Sequence, residues 1–367
     1  MFDFDKDNVE VEGKAIVVGG SLSGLMSAIA LADRGIEVEV LEKAKEGVRT
    51  GAGLQVDGSS FYQTKIEKKL RRLASEGEST TQLWGSIESR LREEAYRNSN
   101  INLNFNTRVT SIGQDDEKTW AETKDGERYE GDILIGADGH RSMVREKISP
   151  DHSDAKFAGY VVWMASVPEE ELPKESRPNM QGQKVEMLNT IGGFLFGSVI
   201  EDKYGKRRVG TTWYDNTNSE MLYRLGAVEG KVVHHSLEGE AMPQEDIDSL
   251  IEQAKGKWPE PWLTASIQAI RSRGFMGIPI KEYVPEKLSK GRFAIIGDAA
   301  HVPAPITASG FNESLVDAVV LNKCVSAGIQ GTKASEALDE YQLRRLSQVQ
   351  RMVESGKSFS RSFGRYY

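Results

Sequence analysis

KAIVVGGSLSGLMSAIALADRGIEVEVLE runs from Lys14 to Glu42. It opens on a short β-branched run ending at Gly19, the pattern of a buried parallel strand. Small and apolar residues at helical spacing follow from Ser21 to Ala32, and Ile36 to Leu41 reads as a second strand. A βαβ unit of about thirty residues is the size of a dinucleotide-binding start. Within it, Gly19-Gly20-Ser21-Leu22-Ser23-Gly24 has glycine at the first and third positions of G-x-G-x-x-G and Ser21 at the second. The first glycine permits the tight turn, the second position must let a pyrophosphate approach the backbone, and the third lets helix and strand pack closely. Alone, such a run is equally an ordinary glycine-rich turn. Glu42, at the end of the second strand, supplies the carboxylate that accepts ribose hydroxyls and so selects the dinucleotide reading.

Outward from this unit, the 367 residues suit two domains, with 38% hydrophobic and 28% charged residues, a globular composition. The net charge of −8 argues against nucleic acid or anionic lipid as partner. One cysteine, Cys324, and five scattered histidines leave no metal cluster and no intramolecular disulfide. The acidic leader MFDFDKDNVEVE is unlike a signal peptide, and no run approaches 18 apolar residues, so a soluble cytoplasmic protein is expected.

A helix is expected from Thr80 to about Arg97, with strands near Leu103 to Phe105, Trp120 to Thr123 and Asp132 to Ile135. Beyond Pro150, alternating segments at Tyr160 to Val167, Lys184 to Leu188, Gly193 to Ile200 and Arg207 to Trp213 suggest an antiparallel sheet. Residues 243 to 270 look helical and Gly274 to Ile280 extended. Arg292 to Gly297 returns to the buried-strand pattern, a helix is expected from Ser314 to Val325, and Ala334 to about Ser358 reads as a long amphipathic helix. The expected architecture is mixed α/β: a discontinuous Rossmann-like domain (1–154 and 280–330), an inserted antiparallel-sheet substrate domain (155–279) and a C-terminal helical segment (331–367).

Two further motifs stand out. Asp132-Ile-Leu-Ile-Gly-Ala-Asp138-Gly139-His-Arg141-Ser142 runs from a strand through an acidic turn into a helix start. Gly297-Asp298-Ala299-Ala300-His301-Val-Pro303-Ala-Pro305 leads through Ala308-Ser309-Gly310-Phe311-Asn312 into a helix, an arrangement suited to a second ribose and to a developing negative charge.

In this order and spacing the three motifs resemble the fingerprints of the class A FAD-dependent aromatic hydroxylases, over most of the chain. Gly51-Ala-Gly53-Leu, Trp84 with Ile87 and Leu91, Tyr160-Val-Val-Trp163 and Trp213-Tyr214 are similar to the branch containing 2,6-dihydroxypyridine 3-hydroxylase and 6-hydroxynicotinate 3-monooxygenase. Trp84 stands where the wider family has arginine, which Arg90 could replace, and Ala308 where it has glycine; Lys43 replaces a common arginine. The resemblance implies non-covalent FAD held by Gly19, Gly20, Ser21, Leu22, Gly24, Glu42, Lys43, Gly53, Arg90, Val109, Asp138, Asp298, Pro305, Gly310, Phe311 and Asn312. It implies NADPH or NADH as co-substrate, O2, no metal, and hydroxylation of a small aromatic or N-heteroaromatic molecule through a flavin hydroperoxide. Epoxidation or hydroxylation of a larger polycyclic natural product or antibiotic is the alternative, and a homodimer is left open. Tyr214, on a strand that faces the flavin ring across the substrate in the resembling branch, and His301 are the candidate bases. Trp163, Phe194, Phe196 and Trp213 are either an aromatic pocket or plain core, His234 and His235 are expected to face solvent, and Cys324 to be buried and inert.

Overall fold

The computed structural model describes residues 10–47, 53–57, 63–75, 81–179, 185–201 and 206–365. Gly51 and Ala52 of the GAGL run, Thr80, Lys184 and the first nine residues of the leader lie outside them. The chain forms two compact units, residues 1–155 with 283–356, and 156–282 with 357–367.

In the first unit, strand β1 (Lys14–Val18) pairs in parallel with β2 (Glu37–Leu41) on one side and with Ile133–Gly136 on the other. Ile101–Asn104 extends the sheet beyond β2, and Phe293–Ile295 extends it beyond Ile133–Gly136, both again parallel. The order reverses beside β1, a doubly wound sheet with its switch point between β1 and Ile133–Gly136. Helix α1 (Leu22–Ala32) buries ten of its eleven residues, so it is apolar all round because a sheet and neighbouring helices cover it. Ser289–Lys290 adds a short antiparallel strand beside Phe293–Ile295, and the unit also holds a three-stranded antiparallel sheet, Val109–Gln114, Thr119–Thr123 and Arg128–Gly131, and a two-stranded pairing of Gly53–Gln55 and Thr81–Leu83.

The second unit is an eight-stranded sheet in which Lys156–Pro168 pairs antiparallel with both Arg207–Asp215 and Phe275–Glu282. Gly193–Glu201 and then Val185–Thr190 follow outward from Arg207–Asp215. Helices Gln244–Lys257 and Trp262–Arg271 cover one face. Because side chains alternate along a strand, Trp163, Leu195 and Trp213 point into that helical core. Tyr160, Val162, Phe194 and Tyr214 are buried outside it. Glycines make room for the indoles: a Cβ on Gly277 would sit 2.2 Å from Trp163, and one on Gly197 2.4 Å from Trp262.

The expected α/β class with a parallel and an antiparallel sheet is what the chain adopts. Three local expectations change. Thr81–Leu83 is a strand, and the helix begins at Trp84. The helix expected at Ser314 begins at Gly310. The C-terminal helix runs from Lys333 to Phe363, its first part grouped with one unit and its last turns with the other. Among the described residues no helix is long and apolar enough to cross a membrane, and no His, Cys, Asp or Glu group is placed to hold a metal.

Gly277→Ala should cost about 1 to 3 kcal/mol of unfolding free energy, the overpacking cost of a well-filled core, with the added methyl driven into Trp163. A denaturation midpoint equal to wild type would place Trp163 elsewhere.

Candidate functional site

Three neighbouring parallel strands, β1, Ile133–Gly136 and Phe293–Ile295, end at the same edge of the sheet, so the motifs that follow them converge although the last lies far along the chain. At the first, Gly19 has φ +104°, and a Cβ there would lie 2.3 Å from the Ala137 carbonyl oxygen. A Cβ on Gly24 would lie 1.9 Å from the Gly19 oxygen, so the turn needs glycine at both positions. Ser21 is the N-cap of α1 but makes no capping bond, and the first turn carries no acid. The helix start therefore presents N–H groups and a positive dipole end with no side-chain anion to satisfy them. Glu42 accepts from Gly20 N at 2.8 Å through Oε2 and from Ala44 N at 2.7 Å through Oε1, which holds its carboxylate beside the turn. Leu22 is buried and Lys43 exposed.

At the second motif, Asp138 accepts from Met143 N at 2.8 Å and Val144 N at 3.4 Å through Oδ2, while Ser142 caps the helix Met143–Ile148. Among the described residues its other oxygen is buried with no hydrogen-bond partner. Burial pushes this carboxyl above its ordinary range, against the Ser142 hydroxyl and the helix N–H groups. An orphaned buried acceptor beside a glycine turn fits a ligand hydroxyl.

At the third, Asp298 is exposed between buried Gly297 and Ala299. The backbone here is held by a residue the sequence did not reveal. Arg145, fully buried, donates to Ala299 O at 3.0 Å, Asp298 O at 3.3 Å, Ser153 O at 2.6 Å and the His140 carbonyl, and stacks 4.3 Å over Tyr283. It ties the second motif to the third.

Asp317 supplies a second tie. It is wholly buried and accepts from His301 Nε2 at 2.8 Å, Gly297 N at 2.9 Å and Arg345 Nε at 2.8 Å. Arg345 also donates to Glu313 at 2.7 Å and Gln348 at 2.7 Å. Burial pushes the Asp317 carboxyl up, but Arg345 and His301 beside it outweigh this and hold it below its ordinary range. His301, 0% exposed and bonded to this carboxylate, is placed to hold the loop.

The loop ends on Ala308, at φ +50°, a left-handed position that explains why glycine is usual there. Pro305 is exposed, and Gly310, Phe311 and Asn312 form the first turn of the helix Gly310–Cys324. The Asn312 side chain bridges Asp57 N at 2.9 Å and Gln55 O at 3.1 Å, anchoring the segment that Gly53 begins. Arg90 donates to Leu73 O, Ala74 O and Gln82, contacts that account for it as the closing group of the helix Lys65–Ala74. Val109 starts an antiparallel strand and packs on the first unit's core.

In the second unit Tyr214 is 3% exposed, stacks on Phe194 at 4.4 Å, and burial pushes its phenol well above the ordinary value. This shift favours the neutral phenol, able to donate or accept a hydrogen bond. Trp163 and Trp213 are core, against Phe275 and Trp258, and Phe194 and Phe196 share the opposite face with Tyr214. His234 and His235 are exposed. Cys324 is half-buried rather than fully so, its thiol pushed up to about 12 by burial.

The family described as FAD binding domain matches residues 50–356. A 3-hydroxybenzoate 6-hydroxylase of Polaromonas naphthalenivorans (strain CJ2) is 26% identical, with 96% of this chain and 87% of the relative covered. A FAD-dependent urate hydroxylase of Klebsiella pneumoniae is 24% identical, over 93% and 88%. The structure of 2,6-dihydroxypyridine-3-hydroxylase from Arthrobacter nicotinovorans superposes with a TM-score of 0.77 at 19% identity, over 96% of this chain and 93% of that one, which shows the shared fold. The chain belongs to the FAD binding domain family, in the class of flavoprotein aromatic hydroxylases, as its motifs led one to expect.

Asp317→Asn should lower stability by about 3 to 5 kcal/mol, because it strips a buried arginine of one partner. A carboxyl with a depressed folded pKa stabilises fully above its unfolded value of about 4 and loses that effect as pH falls through the folded value. The gap from wild type in denaturant titrations should thus be constant from about pH 6 to 8 and close only in acid; a gap that shrinks toward pH 8 would contradict the ion pair.

Proposed function

We propose that the protein hydroxylates a small aromatic or N-heteroaromatic molecule with NAD(P)H and O2, holding FAD non-covalently along the common edge of its parallel sheet. The observation that carries this is the glycine turn before an uncapped helix with Glu42 beside it, together with the orphaned oxygen of Asp138. Bound there, FAD would supply the hydride-accepting and oxygen-transferring chemistry of the reaction. The chain's own residues bind, orient and exclude water.

Gly19, Gly20, Ser21 and Leu22 would receive the pyrophosphate, with Gly24 letting the helix approach. Glu42 would take ribose hydroxyls, and Asp298, exposed on its short turn, the ribityl hydroxyls. Asp138 would accept a hydroxyl of FAD or of the nicotinamide cofactor. The N–H groups of Gly310, Phe311 and Asn312 open a fifteen-residue helix and favour negative charge placed before it. We assign Tyr214 to orienting the substrate hydroxyl, and His301 to positioning Asp298 through Asp317 and Gly297. The reading of a larger polycyclic substrate is not favoured by any single observation.

The purified protein should be yellow, and an aromatic substrate should stimulate its NAD(P)H oxidation. Asp298→Ala should weaken FAD binding about ten- to hundredfold, the loss of roughly 1.5 to 3 kcal/mol from hydrogen bonds to a charged group, measured by flavin fluorescence on reconstitution. Unchanged affinity in the folded variant would remove Asp298 from the site.

Tyr214→Phe should cut kcat/KM about ten- to hundredfold and leave the pH profile unmoved, since the phenol stays protonated throughout the working range. A basic limb abolished by this substitution would make Tyr214 the base after all.

A further inference from the structure

The face of the second unit's sheet turned away from the helical core carries a cluster that its strands alone do not complete. Phe194, Tyr214, Val162 and Ile278 lie in one cross-strand row, and Phe196 pairs with Thr212 in the next. Against Phe194 stand two residues more than 160 positions later. Phe359 and Phe363, one helical turn apart, stack on each other at 5.1 Å and meet Phe194 edge-on or tilted at 5.8 and 5.5 Å. Phe363 also meets Tyr160 at 5.2 Å.

This end of the helix is held in place by its backbone. Asn216 donates to the Phe363 carbonyl at 2.6 Å, Arg365 N donates to Gly159 O at 2.7 Å, and Ser219 Oγ bonds Arg365 O at 3.1 Å. Ser360 Oγ donates to Glu282 at 2.7 Å. A Cβ on Gly364 would lie 2.1 Å from the Ala158 oxygen, so the chain comes as close as glycine allows. The two phenylalanines are thus fixed walls, half-buried like Phe196, with ring surface left accessible.

The charge on this face is equally specific. Among the described residues of the paired strands, two cations share it by strand position: Arg208, six residues from Tyr214 or about 20 Å along the strand, with its guanidinium on Ser166, and Lys156, which stands opposite Glu282 in the register. Arg361 lies between the two phenylalanines in sequence and so on the other side of the helix. Glu282, an anion, is 9% exposed beside Ser360. A carboxylate brought against these rings would lose its hydration, while the face's cations lie outside their cross-strand row, Arg208 on Ser166 and Lys156 opposite Glu282.

We propose that Phe359 and Phe363 are specificity-determining residues, and that with Phe194, Phe196 and Tyr214 they select an uncharged planar ring over a ring bearing a carboxylate. The inference rests on the proposed aromatic hydroxylation and deepens it. Aromatic surface on the sheet and on the helix end beside it favours stacked and edge-on contact with a flat ring, while the Tyr214 and Thr212 hydroxyls give it neutral polar partners.

The test uses the FAD-loaded full chain and pairs of rings that differ only in charge: 3-hydroxybenzamide against 3-hydroxybenzoate, and 6-hydroxynicotinamide against 6-hydroxynicotinate. Dissociation constants are read from perturbation of the flavin absorbance. The neutral member of each pair should bind at least about tenfold tighter, the lower end of the cost of an unpaired buried charge. Thr212→Arg, which places a cation on the face, should narrow or reverse that ratio. Phe363→Ala should raise the affinity for 2-naphthol relative to phenol about tenfold by opening the wall. Flavin content per chain reports whether each variant folds, and the wild-type ratios stand without any variant. Carboxylates bound as tightly as their amides would overturn the charge selection, and an unchanged naphthol-to-phenol ratio in Phe363→Ala that of the wall. If no ring of either kind perturbs the flavin, the aromatic-hydroxylase reading itself falls and takes this inference with it; if rings bind but the ratios fail, only the inference does.

Discussion

Three parallel strands lying side by side constrain everything else in the first unit. Parallel strands in one sheet end at one edge, so Gly19, Asp138 and Asp298 are brought to the same margin by pairing β1 with Ile133–Gly136 and that strand with Phe293–Ile295. Strand spacing of about 4.8 Å then sets their separation, whatever the length of chain between them. A slip of one residue in either pairing would turn each motif's side chains to the wrong face. The fully buried Ala15 to Val18 and Ile133 to Ile135 make such a slip costly, since every residue in both runs is in contact with the core.

Alignment at an edge is not yet a site, because the segments leaving the edge are loops. Two buried cations fix them. Arg145 gathers four backbone carbonyls from three segments, and Arg345 holds Asp317, which in turn holds Gly297 and His301. Each is a charge withdrawn from water, a poor source of net stability, but its geometry tolerates few alternatives. The third motif is clamped on both sides of Asp298, leaving that carboxylate as its exposed member. Rigid support behind an exposed functional group is what positions a ligand within the tolerance that redox chemistry requires.

The βαβ start, the paired sheets and the long terminal helix were all legible in the sequence because each has a clean period and a punctuating glycine. Thr81 to Leu83 was not: three residues of strand leave too short a pattern to separate from the helix that follows. Arg145 and Arg345 carried no signal either, since each sits on a helix among other charged residues, and only tertiary packing shows which arginine turns inward. The indoles of Trp163 and Trp213 and the rings of Phe194 and Tyr214 are neighbours in sequence or register, and alternation assigns them to opposite faces. The sequence grouped Trp163, Phe194, Phe196 and Trp213 together; strand geometry divides them two and two, and Phe359 and Phe363 from far along the chain meet Phe194.

Three aspartates in this unit show why residue type alone could not fix the chemistry. Asp317 is buried with three donors on its carboxylate and is held below its ordinary pKa, so it is a structural anion. Asp138 has its Oδ2 on a helix N-terminus and its Oδ1 without a donor, and burial raises it; that imbalance marks an acceptor waiting for a hydroxyl. Asp298 is exposed in an otherwise buried turn. The same side chain becomes hub, half-satisfied acceptor or exposed contact according to its burial and to which donors, backbone or side chain, reach its oxygens. The same reasoning applies to His301. A histidine directly after an alanine pair in a loop is a candidate base, while Asp317 on its Nε2 and the lack of exposed ring surface are the setting of a residue that supports the loop.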